Sequence, residues 1–384
     1  MRILVIAGFA PSLTGFRRSF LAALRAAGHD VHATAPEDDP AVRSGLAEMG
    51  IGFHPLPMAR AGFSPLGDRR YRLALAALMR ELGAEGVFAY THKPVIHGLR
   101  AARDAGVRHR VAMITGLGYA FTPGGGIRRR LARFAVTGLY RRALPLATAL
   151  VFQNPDDLAC FREAGLLAGA PEPRVVAGSG IPLDDFPACA LPPGPPVFLM
   201  LGRLIADKGV REYASAAAEV RRRAPGARCL LAGELDANPT SVSREELDGW
   251  VRSGAIEYLG RLDDVRPALR SCSVYVLPSY REGTPRSVLE ALATGRPVIT
   301  TDAPGCRETV LDPAPPGADG RRRCANGWLV PVADAAALSA AMLDLASPTA
   351  DLASLAAASR RHAEAKYDAR KVNAALLGTF QNLS

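Results

Sequence analysis

Short apolar runs alternate with segments of helical hydrophobic spacing, and this alternation occurs twice along the chain. The first half opens with an apolar run at 1–7 and a helically spaced segment at 19–27, followed by a further strand-like run. The second half repeats the pattern with an apolar run at 196–201, a predicted helix at 209–224 and a predicted strand at 227–232. Strand, helix and strand in this order predict a βαβ unit with parallel strands. The sequence therefore predicts an α/β protein with two such units.

A proline-rich segment separates the two halves. Six prolines lie within 182–196, a density that neither a helix nor a central strand tolerates. We therefore predict an N-terminal domain at 1–182, a linker at 183–196 and a C-terminal domain at 197–360. The remaining residues, 361–384, are predicted to form a C-terminal helix that packs back on the N-terminal domain.

Length, composition and charge narrow the class of protein. The 384 residues, 48% hydrophobic and 22% charged, suffice for two globular domains with separate cores. No apolar run approaches the ~20 residues of a membrane-spanning helix, so neither an anchor nor a signal peptide is expected. The six cysteines lack zinc-site spacing, so we expect reduced thiols in a cytoplasm and no metal. The net charge of +10 predicts an anionic partner: nucleic acid, phospholipid or a phosphorylated substrate.

Two glutamates in the second half are the strongest candidate site residues. Glu282 lies in a loop after an apolar strand, and Glu290 lies eight residues later in the helix that follows. Amides at a helix N-terminus bind anions, and a carboxylate can accept the hydroxyls of a ribose. The loop that would present these amides contains Gly283, Thr284 and Pro285. The arrangement suits a nucleotide diphosphate.

The surrounding sequence resembles the retaining glycosyltransferases of family 4, whose second domain carries the pattern E-G-x-P-x-x-x-x-E-A-x-x-x-G-x-P-V. The resemblance implies a GT-B fold, in which two Rossmann-like βαβ domains face each other across a cleft. It also implies that Glu290 holds the nucleotide ribose and that Glu282 lies at the donor sugar. The matching residues are Glu282, Gly283, Pro285, Glu290, Ala291, Gly295, Pro297 and Val298.

A second match, LGRLIADKGV, places Arg203 and Lys208 upstream of the glutamates. In the family, the matching arginine and lysine clamp the donor diphosphate. Fixed cations can stabilise the charge that grows on departing UDP, so the resemblance implies no metal and no other cofactor. Downstream, 304–308 resembles the turn that the family places beside the sugar.

The first half carries three weaker candidate segments. Gly15 and Arg17 lie on the turn after the first strand, which in the family approaches the donor phosphates. His92 and Lys93 lie in a T-H-K-P segment, similar to one in transferases that build bacterial capsule, exopolysaccharide and O-antigen. A histidine contacts the reacting sugar in other members, so a direct role for His92 is one of two open alternatives. The third segment, either a site-lining turn or a packed loop, contains Gly116, Gly118 and Tyr119.

The segment 126–142 contains six arginines and no acidic residue, with apolar residues at nearly helical spacing. Such a basic amphipathic element suits an anionic membrane surface that carries a lipid-linked acceptor. A solvated helix face over a core stripe is the alternative. Nucleic acid is not expected as a partner, because the chain lacks a zinc finger, an RNA-recognition signature and interleaved aromatic residues.

These patterns and resemblances together predict a glycosyltransferase that moves a hexose or N-acetylhexosamine from a UDP-sugar to a polyprenyl-diphosphate-linked glycan. It is expected to retain anomeric configuration and to act in the cytoplasm on the inner face of the plasma membrane. A UDP-sugar 2-epimerase of the same fold and a non-catalytic basic adaptor for membrane or nucleic acid are the alternatives. One departure from the family pattern, the Pro-, Gly- and Arg-rich insertion at 311–324, is predicted to be a mobile loop.

Overall fold

The computed structural model describes residues 1–59, 64–117, 127–236 and 240–381, with the side chains of 127–132 and 381 left aside. The chain forms two compact units, one comprising Met1–Gly180 and the segment from Ala369 onward, the other comprising Ile181–Asp368. Each unit is a seven-stranded sheet with helices. The α/β fold class that the sequence predicts is confirmed.

The first unit has a parallel sheet in which a helical crossover joins each strand to the next one along the chain. Its strands are β1 (Arg2–Ile6), β2 (Asp30–Thr34), β3 (Gly52–Phe53), β4 (Gly86–Tyr90), β5 (His109–Ile114), β6 (Ala149–Phe152) and β7 (Arg174–Val175). Its helices before residue 180 are α1 (Pro11–Thr14), α2 (Arg18–Ala26), α3 (Pro40–Ala47), α4 (Pro65–Leu82), α5 (His92–Asp104), α6 (Ile127–Ala143) and α7 (Pro155–Glu163). The strand order is β3-β2-β1-β4-β5-β6-β7.

The second unit repeats this architecture with one antiparallel edge strand. Its strands are β8 (Val197–Leu201), β9 (Arg228–Ala232), β10 (Glu257–Tyr258), β11 (Val274–Leu277), β12 (Val298–Thr301), β13 (Arg322–Cys324) and β14 (Gly327–Val330). Its helices are α8 (Val210–Arg223), α9 (Arg244–Arg252), α10 (Arg266–Ser271), α11 (Arg286–Ala293), α12 (Ala335–Ala346) and α13 (Leu352–His362). The strand order is β10-β9-β8-β11-β12-β14-β13, and β13 runs antiparallel to β14.

The apolar runs become central strands because both faces of each sheet are covered. In β1, Leu4 and Ile6 face one apolar cluster, whereas Ile3 and Val5 face another on the opposite side of the sheet. Successive side chains of a strand point to opposite faces, so an uninterrupted apolar run serves both cores. The predicted strands at the start of each half are confirmed within about one residue at each end.

The proline-rich segment packs on the second unit. Arg296, fully buried, donates to Ala190 O at 3.1 Å, and Arg360 donates to Phe186 O at 2.9 Å. The chain passes between the units at 180–181 and again at 368–369. For comparison, the linker predicted from the sequence lies at 183–196, and the predicted C-terminal helix starts at 361.

The final helix, α14 (Ala369–Gln381), belongs to the first unit. Its apolar residues Val372, Leu376 and Phe380 are buried in the same cluster as Ile3 and Val5 of β1. Burial of this face gives the helix a fixed position on the unit that contains β1.

The insertion at 311–324 differs from the predicted mobile loop, because part of it is a strand. Arg322–Cys324 forms β13 and pairs with β14. Arg321 donates to Asp344 at 2.6 Å, and its guanidinium lies 4.9 Å from the ring centre of Trp328. An ion pair and a cation–π contact thus anchor a segment whose prolines and glycines suggested mobility.

Candidate active site

The main candidate residues lie at the carboxyl edge of the second sheet. Strand β8 pairs with β9 on one side and with β11 on the other, so the direction of the crossovers reverses beside β8. Such a switch point leaves a crevice at the carboxyl ends of the strands, where ligands bind in open α/β sheets. Arg203 and Lys208 follow β8, and Glu282 follows β11.

Gly209 allows the segment after β8 to approach the segment after β11. Its φ is +71°, and a Cβ at this position would lie 2.1 Å from Pro278 O. Both the left-handed backbone and the lack of space require glycine here. The close approach brings Lys208, the preceding residue, to Glu282.

Lys208 and Glu282 form an ion pair within the second unit. The Lys208 ammonium donates to Glu282 Oε1, and the Ser279 hydroxyl donates to the same oxygen at 2.7 Å. The side chains of Lys208 and Glu282 are 22% and 13% exposed, so both retain access from solvent. A mostly buried carboxylate held by a cation and a hydroxyl has a fixed orientation.

Arg203 lies at the same sheet edge and has a different partner. Its guanidinium donates to Asp236 Oδ2 at 3.0 Å, and its side chain is 58% exposed. The structure therefore brings Lys208 and Glu282 together and places Arg203 in a separate pair. A guanidinium has five N–H donors, so a pair with one carboxylate leaves donors for an anion.

Glu290 lies one turn inside α11. Arg286, one turn earlier, donates from Nε to Glu290 Oε1 at 2.8 Å. Burial raises the pKa of the Glu290 carboxyl, and the charge and hydrogen bond of Arg286 oppose that rise. Pro285 has the extended backbone of an N-cap, so α11 begins just after the loop that contains Gly283 and Thr284. These loop residues and Glu290 thus belong to one loop-and-helix element, as the sequence predicts.

The turn at 304–308 packs against the loop of Glu282. Glu282 donates its N–H to Pro304 O at 2.9 Å. Gly305 has a φ of +77°, and a Cβ on it would lie 2.3 Å from Glu282 O. The position of this turn and that of Glu282 therefore depend on each other.

In the first unit, Gly15 and Arg17 occupy the turn between α1 and α2. Arg17 is fully buried, with its guanidinium 4.8 Å from the ring centre of Tyr90 and its Nη2 2.9 Å from Met113 Sδ. Gly15 caps α1 through its N–H to Pro11 O. Aromatic rings hold the guanidinium in place, and the nucleotide contact predicted for Arg17 stays a prediction.

His92 and Lys93 open α5 at the carboxyl end of β4, which adjoins β1 at the switch point of the first sheet. Nδ1 of His92 lies 2.7 Å from the hydroxyl of Tyr140, and burial lowers the pKa of the imidazole. Lys93 donates to Asp68 at 2.9 Å. Thr91, just before them, has a φ of +71°, a strained conformation for a β-branched residue that is frequent at functional sites.

The third segment is described only in part. Gly116 follows β5 with a φ of +110°, a turn conformation suited to glycine. Gly118 and Tyr119, which the sequence also placed there, lie outside the described residues.

The basic segment forms α6, and its apolar residues do not share one environment. Leu139 packs on the core of the first unit, whereas the Phe134 side chain is 78% exposed. Arg133 is exposed, and the side chains of Arg128, Arg129 and Arg130 lie outside the description. No helix in the described parts of the chain has the length and apolar character needed to cross a bilayer.

In the described ranges, no three His, Cys, Asp or Glu side chains are grouped as they would be to hold a metal ion.

Four residues that sequence reasoning missed are hydrogen-bonded to predicted site residues. Of the four, only Arg286 had a sequence signal, its spacing of four from Glu290 on a helix. The missed residues, each bonded to a predicted one, are Ser279, Arg286, Asp68 and Tyr140.

Two families match the chain, one in each unit. Residues 16–180 match the family described as glycosyl transferase 4-like domain. Residues 195–347 match the family described as glycosyl transferases group 1. The two matches divide the chain much as its two units do.

The chain is similar to two bacterial enzymes over most of its length. It is 29% identical to the N,N'-diacetylbacillosaminyl-diphospho-undecaprenol alpha-1,3-N-acetylgalactosaminyltransferase of Campylobacter jejuni, over 81% of the chain and 83% of that enzyme. It is 26% identical to the UDP-Gal:alpha-D-GlcNAc-diphosphoundecaprenol alpha-1,3-galactosyltransferase of Escherichia coli, over 65% of the chain and 66% of that enzyme.

A solved structure shares the fold over the full length. Sucrose-phosphate synthase from Thermosynechococcus elongatus superposes with a TM-score of 0.79 at 19% identity, covering 100% of the chain and 99% of that structure. The shared architecture is GT-B, with two Rossmann-like units in one chain.

Proposed function

The chain belongs to glycosyltransferase family 4, and from this premise we propose that it transfers a hexose or N-acetylhexosamine from a UDP-sugar to a polyprenyl-diphosphate-linked glycan. We propose further that the transfer retains anomeric configuration and serves surface polysaccharide biosynthesis. The observation that carries the proposal is the pairing of Lys208 with Glu282, at the sheet edge where a nucleotide is expected to bind. The resemblance of both Glu282 and Glu290 to the family's donor-site glutamates supports it.

The proposed donor site uses the groups of the second unit. Glu290 accepts hydrogen bonds from the ribose hydroxyls, and the amides at the start of α11 donate hydrogen bonds to a phosphate. An ammonium has three donors, so Lys208 can bind Glu282 and a phosphate oxygen at once. Arg203 supplies a second cation. Neither cation has to be recruited during the reaction, so both stabilise leaving-group charge without reorganisation.

In the proposed reaction, the acceptor hydroxyl oxygen forms a bond to the anomeric carbon on the face from which UDP departs. The bond between that carbon and the phosphate oxygen breaks, and its electron pair leaves with UDP. The acceptor proton passes to the departing phosphate. Glu282, held by Lys208 and Ser279, positions the sugar and stabilises developing positive charge on its ring, and it is not assigned as a nucleophile.

The proposed acceptor is a glycan on a polyprenyl diphosphate, bound by the first unit. Both bacterial relatives carry diphospho-undecaprenol in their names, which supports this class. The arginines of α6 and the exposed Phe134 are proposed to contact an anionic membrane surface, where such an acceptor would lie. His92 and Lys93 are proposed to face the acceptor side of the reacting sugar.

A donor panel tests the proposal. Purified protein is incubated with UDP-Gal, UDP-GalNAc, UDP-Glc, UDP-GlcNAc, UDP-GlcA or GDP-mannose and a polyprenyl-diphosphate-linked sugar, and the lipid product is analysed by mass spectrometry. The proposal expects one hexose or N-acetylhexosamine to be added from a UDP donor, with the α-linkage of the donor kept. Conversion of the UDP-sugar to its 2-epimer without acceptor would instead identify an epimerase. No nucleotide binding, with retained lipid binding, would identify an adaptor.

A further inference from the structure

Three side chains of the second unit converge on one backbone oxygen, the carbonyl of Glu308. The hydroxyl of Tyr367 donates at 2.5 Å, the ammonium of Lys366 at 2.9 Å, and Nε2 of His362 lies at 3.3 Å. Burial lowers the pKa of His362 to about 4, so at neutral pH the imidazole is uncharged and Nε2–H can donate. A carbonyl oxygen has two lone pairs, so three donors constrain it more than a usual peptide oxygen.

The constrained carbonyl belongs to the turn that packs on Glu282. Glu308 lies in the single helical turn Arg307–Thr309, which Cys306 separates from Pro304 and Gly305. Pro304 accepts the N–H of Glu282, and Gly305 leaves no room for a side chain against Glu282 O. A shift of the Glu308 carbonyl would therefore move the turn that supports Glu282.

The three donors share one face because the helix changes its winding there. Residues Ala363–Tyr367 form a π-helical turn after α13. In a regular α-helix of 3.6 residues per turn, positions five apart point roughly 140° away from each other. In the π-turn, His362 and Tyr367 instead stack edge to face with ring centres 5.1 Å apart. Single π-turns inside helices occur frequently at functional sites.

We propose that His362, Lys366 and Tyr367 are positioning residues for sugar transfer, which act through the Glu308 carbonyl on the turn at 304–308 and so on Glu282. The catalytic role of these residues rests on the proposed function. Their structural role, which is to fix this turn, does not depend on any activity. None of the three has to touch the substrate.

The variants Tyr367→Phe and Tyr367→Phe/Lys366→Met remove one and two donors while keeping the ring and the aliphatic stem. Tyr213→Phe is the matched control. The Tyr213 hydroxyl donates to Phe198 O and Leu230 O in the buried core of the same unit, so this variant also loses a tyrosine–carbonyl bond. Lys366→Arg keeps a donor at the end of a long side chain.

Hydrogen–deuterium exchange tests whether the three donors fix the turn at 304–308, and it requires no substrate. In the double variant, peptides that cover 279–285 and 302–309 are expected to exchange at least about fivefold faster than in the wild type, whereas Tyr213→Phe leaves them unchanged. Unchanged exchange in the double variant would overturn the proposal, whether or not the protein transfers sugar. Faster exchange with no transfer from any donor by the wild type would count against the proposed function alone.

Steady-state kinetics then test whether the three donors contribute to sugar transfer. The double variant is expected to lose about tenfold in kcat, with the Kd for UDP within twofold of wild type, because the turn supports the sugar end of the donor. Lys366→Arg is expected to stay within about twofold of the wild-type kcat, and Lys366→Met to fall further. A wild-type kcat in the folded double variant, a loss no larger than that of Tyr213→Phe, or equal losses in Lys366→Arg and Lys366→Met would overturn the assignment.

Discussion

The ammonium of Lys208 donates to the Glu282 carboxylate, although 74 residues separate them along the chain. The two residues follow neighbouring parallel strands, so the sheet brings them to one edge. One of them is the proposed phosphate ligand and the other the proposed sugar ligand. Their pairing holds both side chains in place before a donor binds, which reduces the cost of ordering them in the complex.

Replacing either proposed phosphate ligand is expected to slow transfer in a folded protein. Lys208→Ala removes a cation that meets growing charge on the leaving group, so kcat should fall on the order of 100-fold, and Arg203→Ala should also lower it. Arg222→Ala is the control, because Arg222 forms an exposed pair with Glu219 on α8. The measurement is steady-state kinetics with circular dichroism of each variant. Normal turnover in both Lys208→Ala and Arg203→Ala would remove them from the diphosphate site.

The sequence predicts those parts of this site whose residues lie close together along the chain. The loop and helix that carry Glu282 and Glu290 follow from a contiguous motif, as does the strand before them. The pairing of Lys208 with Glu282 requires the strand order, which no local pattern specifies. Ser279 gave no signal, because a serine three residues before a glutamate in a loop is commonplace.

Arg17 shows that residue type alone does not specify the surroundings of a side chain. The sequence places Arg17 on the turn after the first strand, which in the family approaches the donor phosphates. In the fold, Tyr90 on β4 and Met113 on β5 enclose its guanidinium, and these partners lie more than seventy residues away in sequence. The burial of an arginine among aromatic rings depends on that assembled core.

Transfer is expected to continue without divalent metal. In the proposed site, Lys208, Arg203 and helix amides meet the diphosphate, so no ion is needed to bridge it. The measurement is the initial rate before and after dialysis against EDTA, with MnCl₂ or MgCl₂ added back. A rate within about twofold of the untreated protein is expected. Strict dependence on manganese or magnesium would contradict the metal-free account.

Acidification from pH 7 to pH 5 is expected to lower the free energy of unfolding. Burial lowers the pKa of His362 to about 4 and also lowers that of His97. Between these folded-state values and the unfolded value near 6.5, the unfolded chain binds more protons, so stability falls as pH decreases.

Urea unfolding at pH 7 and pH 5 measures this effect. His362→Gln keeps a hydrogen-bond donor without a titrating group, so its stability should fall less over the same range. Equal or greater stability at pH 5 than at pH 7 in the wild type would show that these histidines do not control the transition.

The basic helix α6 is expected to bind anionic lipid. Replacing four of its arginines with serine should weaken liposome binding by about 1 kcal/mol per lost surface contact. Salt should weaken wild-type binding as well, because the Debye length is about 10 Å at 0.1 M. The replaced residues are Arg128, Arg129, Arg130 and Arg133.

A control with the same loss of charge separates a local contact from general attraction. Four exposed arginines of the second unit are replaced by serine, and co-sedimentation with anionic and neutral vesicles is compared at low and high salt. Equal binding by the wild type and the α6 variant under every condition would show that the α6 arginines form only a solvated helix face. The control residues are Arg221, Arg222, Arg223 and Arg252.

The central claim is that the carboxyl edge of the second sheet binds the nucleotide of the donor, and calorimetric titration with UDP tests it most directly. Glu290→Ala removes the proposed ribose acceptor, so binding should weaken by about 1–3 kcal/mol, roughly 5- to 150-fold in Kd. Glu219→Ala breaks a similar acid–arginine pair on α8 and should bind UDP like the wild type. Equal UDP affinity in the wild type and Glu290→Ala, or no UDP binding by the wild type, would contradict the account.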